Sequence, residues 1–222
     1  MYEIRLKRGV ELLQMLQNSE VRDYIKIYYR ERSGRDARWK PVTTNPSEKL
    51  YPNRFKVTYR FPKMYVGPGR YVSNWEKSFY CTVDEQTLMS PYRPFILEID
   101  GGRFREDELP FCPHACVTNL CTGSASSVAK SFGLYYFFCL VGAILNMDKC
   151  IVDTSSGHYN PQALQWWREE RSFRPNNNIK WPFDLNERLS RQHHSKDSAT
   201  PVIRFGKIIP AQTPKIVFGK KF

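Results

Sequence analysis

Three cysteines and one histidine fall within ten residues of this 222-residue chain, at Cys112, His114, Cys116 and Cys121. They sit in Pro110-Phe-Cys-Pro-His-Ala-Cys-Val-Thr-Asn-Leu-Cys-Thr-Gly123, a stretch that also holds two prolines and a glycine. Two chemistries are open to such a cluster. The four side chains could ligate a structural zinc ion, which takes four tetrahedral N/S donors. Zinc sites usually staple one close pair of ligands to a second pair elsewhere, and the chain has no CxxC or HxxxH pair. The other chemistry is nucleophilic attack by a thiolate. Cys121 stands in Leu-Cys-Thr-Gly-Ser, ahead of small residues and a helical segment. A thiol near a helix N-terminus meets exposed N–H groups and the positive end of the dipole, and both favour the thiolate. His114 or His158 could then serve as base or orienter, and Asn119 could donate its amide to an oxyanion. A hydrolase with a Cys121–His158 pair satisfies the same spacing. Against these stands the purely structural reading: His114 fixes the turn, and Cys81, Cys139 and Cys150 go to the core, where free cysteine commonly lies.

The elements around the turn follow from periodicity. Ile4, Leu6, Val10, Leu13 and Leu16 recur at helical spacing and predict an amphipathic helix over residues 3–16, ending at Asn18-Ser19. Gly9 weakens it by ~1 kcal/mol relative to Ala. Tyr24–Glu31 is β-branched and aromatic, so it reads as a strand, with Ser33-Gly-Arg-Asp36 turning into a return strand from Trp39. Phe55–Phe61 alternates, Gly67-Pro-Gly69 turns, and Phe79–Val83 and Phe95–Ile99 add two strands joined through Pro91 and Pro94. This predicts an α+β chain: an N-terminal helix, an antiparallel meander of four to five strands, the cysteine turn, then helices. Phe132–Met147 reads as a buried helix; at sixteen residues it is short of the ~20 needed to span a bilayer. Asn160-Pro161 fits an N-cap with proline at N1, opening a helix over Gln162–Arg171. Residues 1–150 are expected to form the main domain and 151–190 a helical extension packed on it. A polar linker at 191–200 then leads into an extended basic tail, giving a C-terminal segment of 191–222.

Charge and composition limit the partners. Thirty-four Lys and Arg against 22 Asp and Glu give a formal charge of +12. Residues 164–222 hold twelve basic and five acidic residues, yet no run of five consecutive basic residues occurs. That balance favours an anionic partner: nucleic acid, an acidic protein or an anionic surface. Hydrophobic content of 41% excludes wholesale disorder. Six cysteines are too few for a disulfide scaffold, and no signal-peptide pattern opens the chain, so a cytoplasmic protein with reduced thiols is expected.

The order of elements, the segment Phe79-Tyr-Cys-Thr-Val-Asp…Leu-Met-Ser-Pro-Tyr-Arg-Pro-Phe-Ile-Leu-Glu-Ile99 and the turn Cys112-Pro-His-Ala-Cys-Val-Thr-Asn-Leu-Cys-Thr-Gly123 together resemble the ubiquitin-conjugating (UBC) family. The likeness spans about residues 3–150 and is nearest to divergent bacterial members from ubiquitin-like conjugation, antiphage and plasmid-associated operons. It implies a UBC-type fold in which Cys121 carries the C-terminal glycine of a ubiquitin-like modifier as a thioester, with His114 shaping the turn. It also implies an adenylating activating enzyme, a protein target and no cofactor or metal of the enzyme's own. The chain departs from the family in two ways. His114-Ala115-Cys116 stands where the family has His-Pro-Asn, leaving Asn119 as the candidate oxyanion donor. The stretch from histidine to cysteine is also about three residues shorter. The alternative from another class is a basic nucleic-acid-binding or scaffold protein with structural cysteines or zinc.

Overall fold

The computed structural model describes residues 16, 19–30, 38–42, 54–83, 95–122, 133–148, 160–169 and 175–182. Of the expected N-terminal helix only Leu16 falls within them; it is helical and fully buried, and its carbonyl accepts the Ser19 amide. A 3-10 turn at Glu20–Asp23 leads into β1 (Ile25–Arg30). Then come β2 (Lys40–Pro41), β3 (Arg54–Gly67), β4 (Arg70–Thr82) and β5 (Leu97–Ile99). Two helices follow, α1 (Leu134–Asn146) and α2 (Pro161–Glu169). The expected turn at 33–36, the loop through Pro91 and Pro94, Cys150, His158, and the linker and tail from 191 lie outside the described residues.

The sheet is antiparallel with strand order β2-β1-β3-β4-β5. Strands β1, β3, β4 and β5 are neighbours in chain order, as a meander requires. The two-residue β2 does not sit between β1 and β3; it lies on the outer edge of β1, pairing Tyr28 with Pro41. Two strands are longer than their alternation suggests. Strand β3 runs on past Phe61 through Pro62, and β4 begins at Arg70, nine residues before Phe79. The turn between them uses Gly69 at φ +68°, a left-handed conformation that glycine adopts without steric cost.

One face of the sheet is apolar because the odd positions of β1 and β3 point the same way. Ile25, Ile27, Phe55, Val57, Tyr59 and Phe61 are fully or almost fully buried there. Helix α1 packs on this face, with all thirteen of its residues buried. Phe138 meets Phe55, and its carbonyl accepts the Tyr59 hydroxyl at 2.9 Å. Gly142 permits the approach: a Cβ there would stand 2.7 Å from the Trp181 ring and 3.2 Å from Tyr59. Trp181, Ile179, Ala163 and Trp167 join the same hydrophobic core, so the described residues beyond 150 share it. Among the described residues no helix is long and apolar enough to cross a membrane.

Candidate functional site

The cysteine turn is a small hairpin. Cys112-Pro113-His114-Ala115 closes as a turn with proline at its second position, the Ala115 amide donating to the Cys112 carbonyl at 3.1 Å. Ala115 and Leu120 then form an antiparallel bridge. At the tip, Cys116 and Asn119 exchange amide–carbonyl bonds of 2.9 and 3.3 Å. At the base, the Cys121 amide donates to the His114 carbonyl at 2.7 Å. That bond brings the backbones of His114 and Cys121 together at the base of the hairpin.

Four parts of the fold clamp this hairpin. From the sheet, the Tyr65 carbonyl of β3 accepts the Phe111 amide at 2.8 Å. From α1, the Ile144 carbonyl accepts the Cys112 thiol at 3.6 Å. From α2, the Trp167 indole donates to the Phe111 carbonyl, and the Asn160 amide donates to the Pro113 carbonyl at 3.1 Å. Asn160 also caps α2 as expected, its Oδ1 accepting the Ala163 amide at 3.0 Å. From the preceding loop, the Phe104 amide donates to the Val117 carbonyl at the tip. Glu108 braces that loop with a 2.5 Å ion pair to Lys77 and a further one to Arg105. Burial pushes the Glu108 carboxyl up, but the Lys77 hydrogen bond, the Arg105 amide and the two cations outweigh it and hold it below its ordinary range.

The cysteines divide by environment. Cys81, Cys112 and Cys139 are fully buried, and burial pushes the Cys81 and Cys112 thiols up to about 12 and Cys139 higher still. Cys112 also receives the backbone amides of His114 and Ala115, which oppose the rise without cancelling it, and nearby Cys121 adds to it. These three thiols stay protonated near neutral pH. Cys116 and Cys121 are half-buried and reach solvent.

The three residues singled out from the sequence are thus placed as follows. Cys121 stands at the foot of the hairpin, His114 is buried opposite it, and Asn119 is exposed at the tip. The Asn119 amide donates to Thr118 Oγ1 at 3.1 Å. Helix α1 starts at Leu134, and the small residues that follow Thr122, at 123–132, lie outside the described residues. Among the described residues no group of three or more His, Cys, Asp or Glu is placed to hold a metal ion.

Sequence reasoning did not find the aromatic wall beside the hairpin or the polar cluster behind it. Phe111 meets Trp166 at 5.5 Å, and Tyr65 meets Trp166 at 5.7 Å and Trp167 at 5.9 Å. At the end of α1, Asn146 donates to Asp148 at 2.9 Å and accepts from the Asn177 amide, and Trp181 also donates to Asp148 at 2.9 Å. Asn177 in turn bonds both the amide and the carbonyl of Lys63 on β3. Burial lifts the Asp148 carboxyl to about 6 against the opposing pull of its Asn146 and Trp181 hydrogen bonds. The polar pair Asn146 and Asp148 closing an apolar helix is the available signal. Their partners Asn177 and Trp181, 31 and 33 residues further on, leave none. Comparisons with family models, with curated proteins and with solved structures return no match for this chain.

Proposed function

We propose that the protein is a conjugating enzyme of ubiquitin-conjugating type that carries a ubiquitin-like modifier as a thioester on Cys121. One observation carries the reading. Cys121 is a half-exposed thiol, opposite His114, on a hairpin clamped by the sheet and both helices, while the Cys112 thiol beside it is buried and protonated. A nucleophile that must meet two macromolecular partners in turn needs this combination of access and rigidity. The α+β order of antiparallel strands, cysteine turn and buried helix supports the reading at the level of fold class.

The reaction is two acyl transfers. The Cys121 thiolate attacks the thioester carbonyl linking the modifier to its activating enzyme, and that enzyme's thiolate leaves. A target lysine amine then attacks the new thioester, and the tetrahedral oxyanion collapses, expelling the Cys121 thiolate as the amine gives up a proton. His114 acts through the turn: its carbonyl anchors the Cys121 amide. Asn119 lies on the same strand of the hairpin, two residues from Cys121. Reaching an oxyanion would require its amide to leave Thr118. The net positive charge suits recruitment of an acidic modifier, chiefly through the association rate. Incubation with an adenylating enzyme, its modifier and ATP should yield an adduct that reductant removes. The adduct should vanish in Cys121→Ala and survive in Cys116→Ala. A reducible adduct that persists in Cys121→Ala overturns the assignment.

A further inference from the structure

The face of the sheet turned away from α1 is basic and aromatic. Its in-register rows are Lys26–Thr58–Ser78, Tyr28–Lys56–Tyr80–Glu98 and Arg30–Arg54–Thr82. Two of its cations are neutralised, Lys56 by Asp100 and Arg60 by Glu76. Lys26, Arg30 and Arg54 form no ion pair among the described residues. Arg30 and Arg54 are direct cross-strand neighbours on this face, an arrangement of like charges that costs stability unless an anion lies between them. Next to them Trp39 stacks on Tyr80, with ring centroids 5.4 Å apart and planes 27° apart. The Arg54 and Lys56 cations stand 5.9 and 5.7 Å from the Tyr80 ring centre.

We propose that this face binds single-stranded nucleic acid, with phosphates between Arg30 and Arg54 and bases against Trp39 and Tyr80. Arg30 and Arg54, without an ion pair among the described residues, beside the Trp39–Tyr80 stack fit the two chemistries of a single strand, anionic linkages and flat bases. An acidic protein would use the charges and leave the ring faces idle. A duplex would present its phosphates and keep its bases stacked inside. The site is separate from Cys121.

The test is fluorescence anisotropy of the full chain with a labelled single-stranded twelve-nucleotide probe, a duplex of the same length and poly-glutamate. The single strand should bind most tightly, with an affinity that falls steeply with salt. Arg54→Gln should lower the log–log salt slope by about 0.7, the share of one phosphate on a single strand. Tyr80→Leu should weaken binding about tenfold with the slope unchanged. Arg70→Glu, at the opposite end of β4 from Tyr80 and Thr82, should leave the preference for the single strand intact, as should Cys121→Ala. Thermal melts of each variant establish that it is folded, and Arg30→Gln repeats the charge test if Arg54→Gln unfolds. Equal binding of poly-glutamate or duplex overturns the proposal. So does indifference to Tyr80→Leu, or a fall in affinity for Arg70→Glu equal to that for Arg54→Gln.

Discussion

At the scale of single residues, environment separates the thiols more sharply than sequence position does. Cys112 and Cys121 belong to one hairpin, yet Cys112 is sealed under Ile144 with its thiol pushed up to about 12. In the native protein at pH 8, iodoacetamide should therefore label Cys116 and Cys121 and spare Cys112. Peptide mass spectrometry reads the pattern, and rapid Cys112 labelling would contradict its burial. Asp148 makes a second prediction with a definite sign. Its folded-state carboxyl titrates at about 6, above the ~3.9 of an exposed Asp, so the native state binds its proton more tightly than the unfolded chain. The resulting stabilisation is full below about pH 4 and is lost as pH rises through about 6, on the order of 2–3 kcal/mol. Asp148→Asn keeps an oxygen for Asn146 and Trp181 and removes the titration. It should match the wild type near pH 4 and exceed it at pH 8 in denaturant titrations.

Elements reveal which local signals are readable. Asn160-Pro161 announces the start of α2, and the cap is present; Asn160→Ala removes that side-chain cap and should cost about 1 kcal/mol, while the backbone bond from the residue-160 amide to the Pro113 carbonyl stays in place. Urea melts should show that loss, with the Cys121 alkylation rate unchanged. The apolar run from Leu134 likewise reads as a buried helix, which it is. The first half of β4 is illegible because Arg70–Asn74 is exposed or only partly covered on both faces and shows no alternation. The extension of β3 is hidden by Pro62, which reads as a breaker although Lys63 and Tyr65 beyond it are tied to Asn177 and Phe111. Gly142, inside α1, reads as merely tolerated; its role depends on Trp181, 39 residues on. Gly142→Ala gains up to ~1 kcal/mol of helix propensity but forces the Trp181 ring aside. A net destabilisation of about 1 kcal/mol with a changed tryptophan emission spectrum is expected; a rise in stability would refute the close approach.

For the whole molecule, the described parts hold a small hairpin still and leave two of its three thiols, Cys116 and Cys121, within reach of solvent. The sheet, α1 and α2 each supply a hydrogen bond to residues 111–113, and these partners lie between 32 and 56 positions away in the chain. The candidate nucleophile can be chosen from the sequence, because its chemistry is written in residue type and neighbours. Its clamp cannot, since hydrogen bonds between distant segments leave no periodicity to read. Whether Cys121 forms the proposed thioester is read by intact-mass spectrometry after reaction with an adenylating enzyme, its modifier and ATP. One modifier mass should be added, released by reductant, and mapped to Cys121. A modifier attached to any other cysteine, or none attached when the activating enzyme is itself loaded, would contradict the proposal.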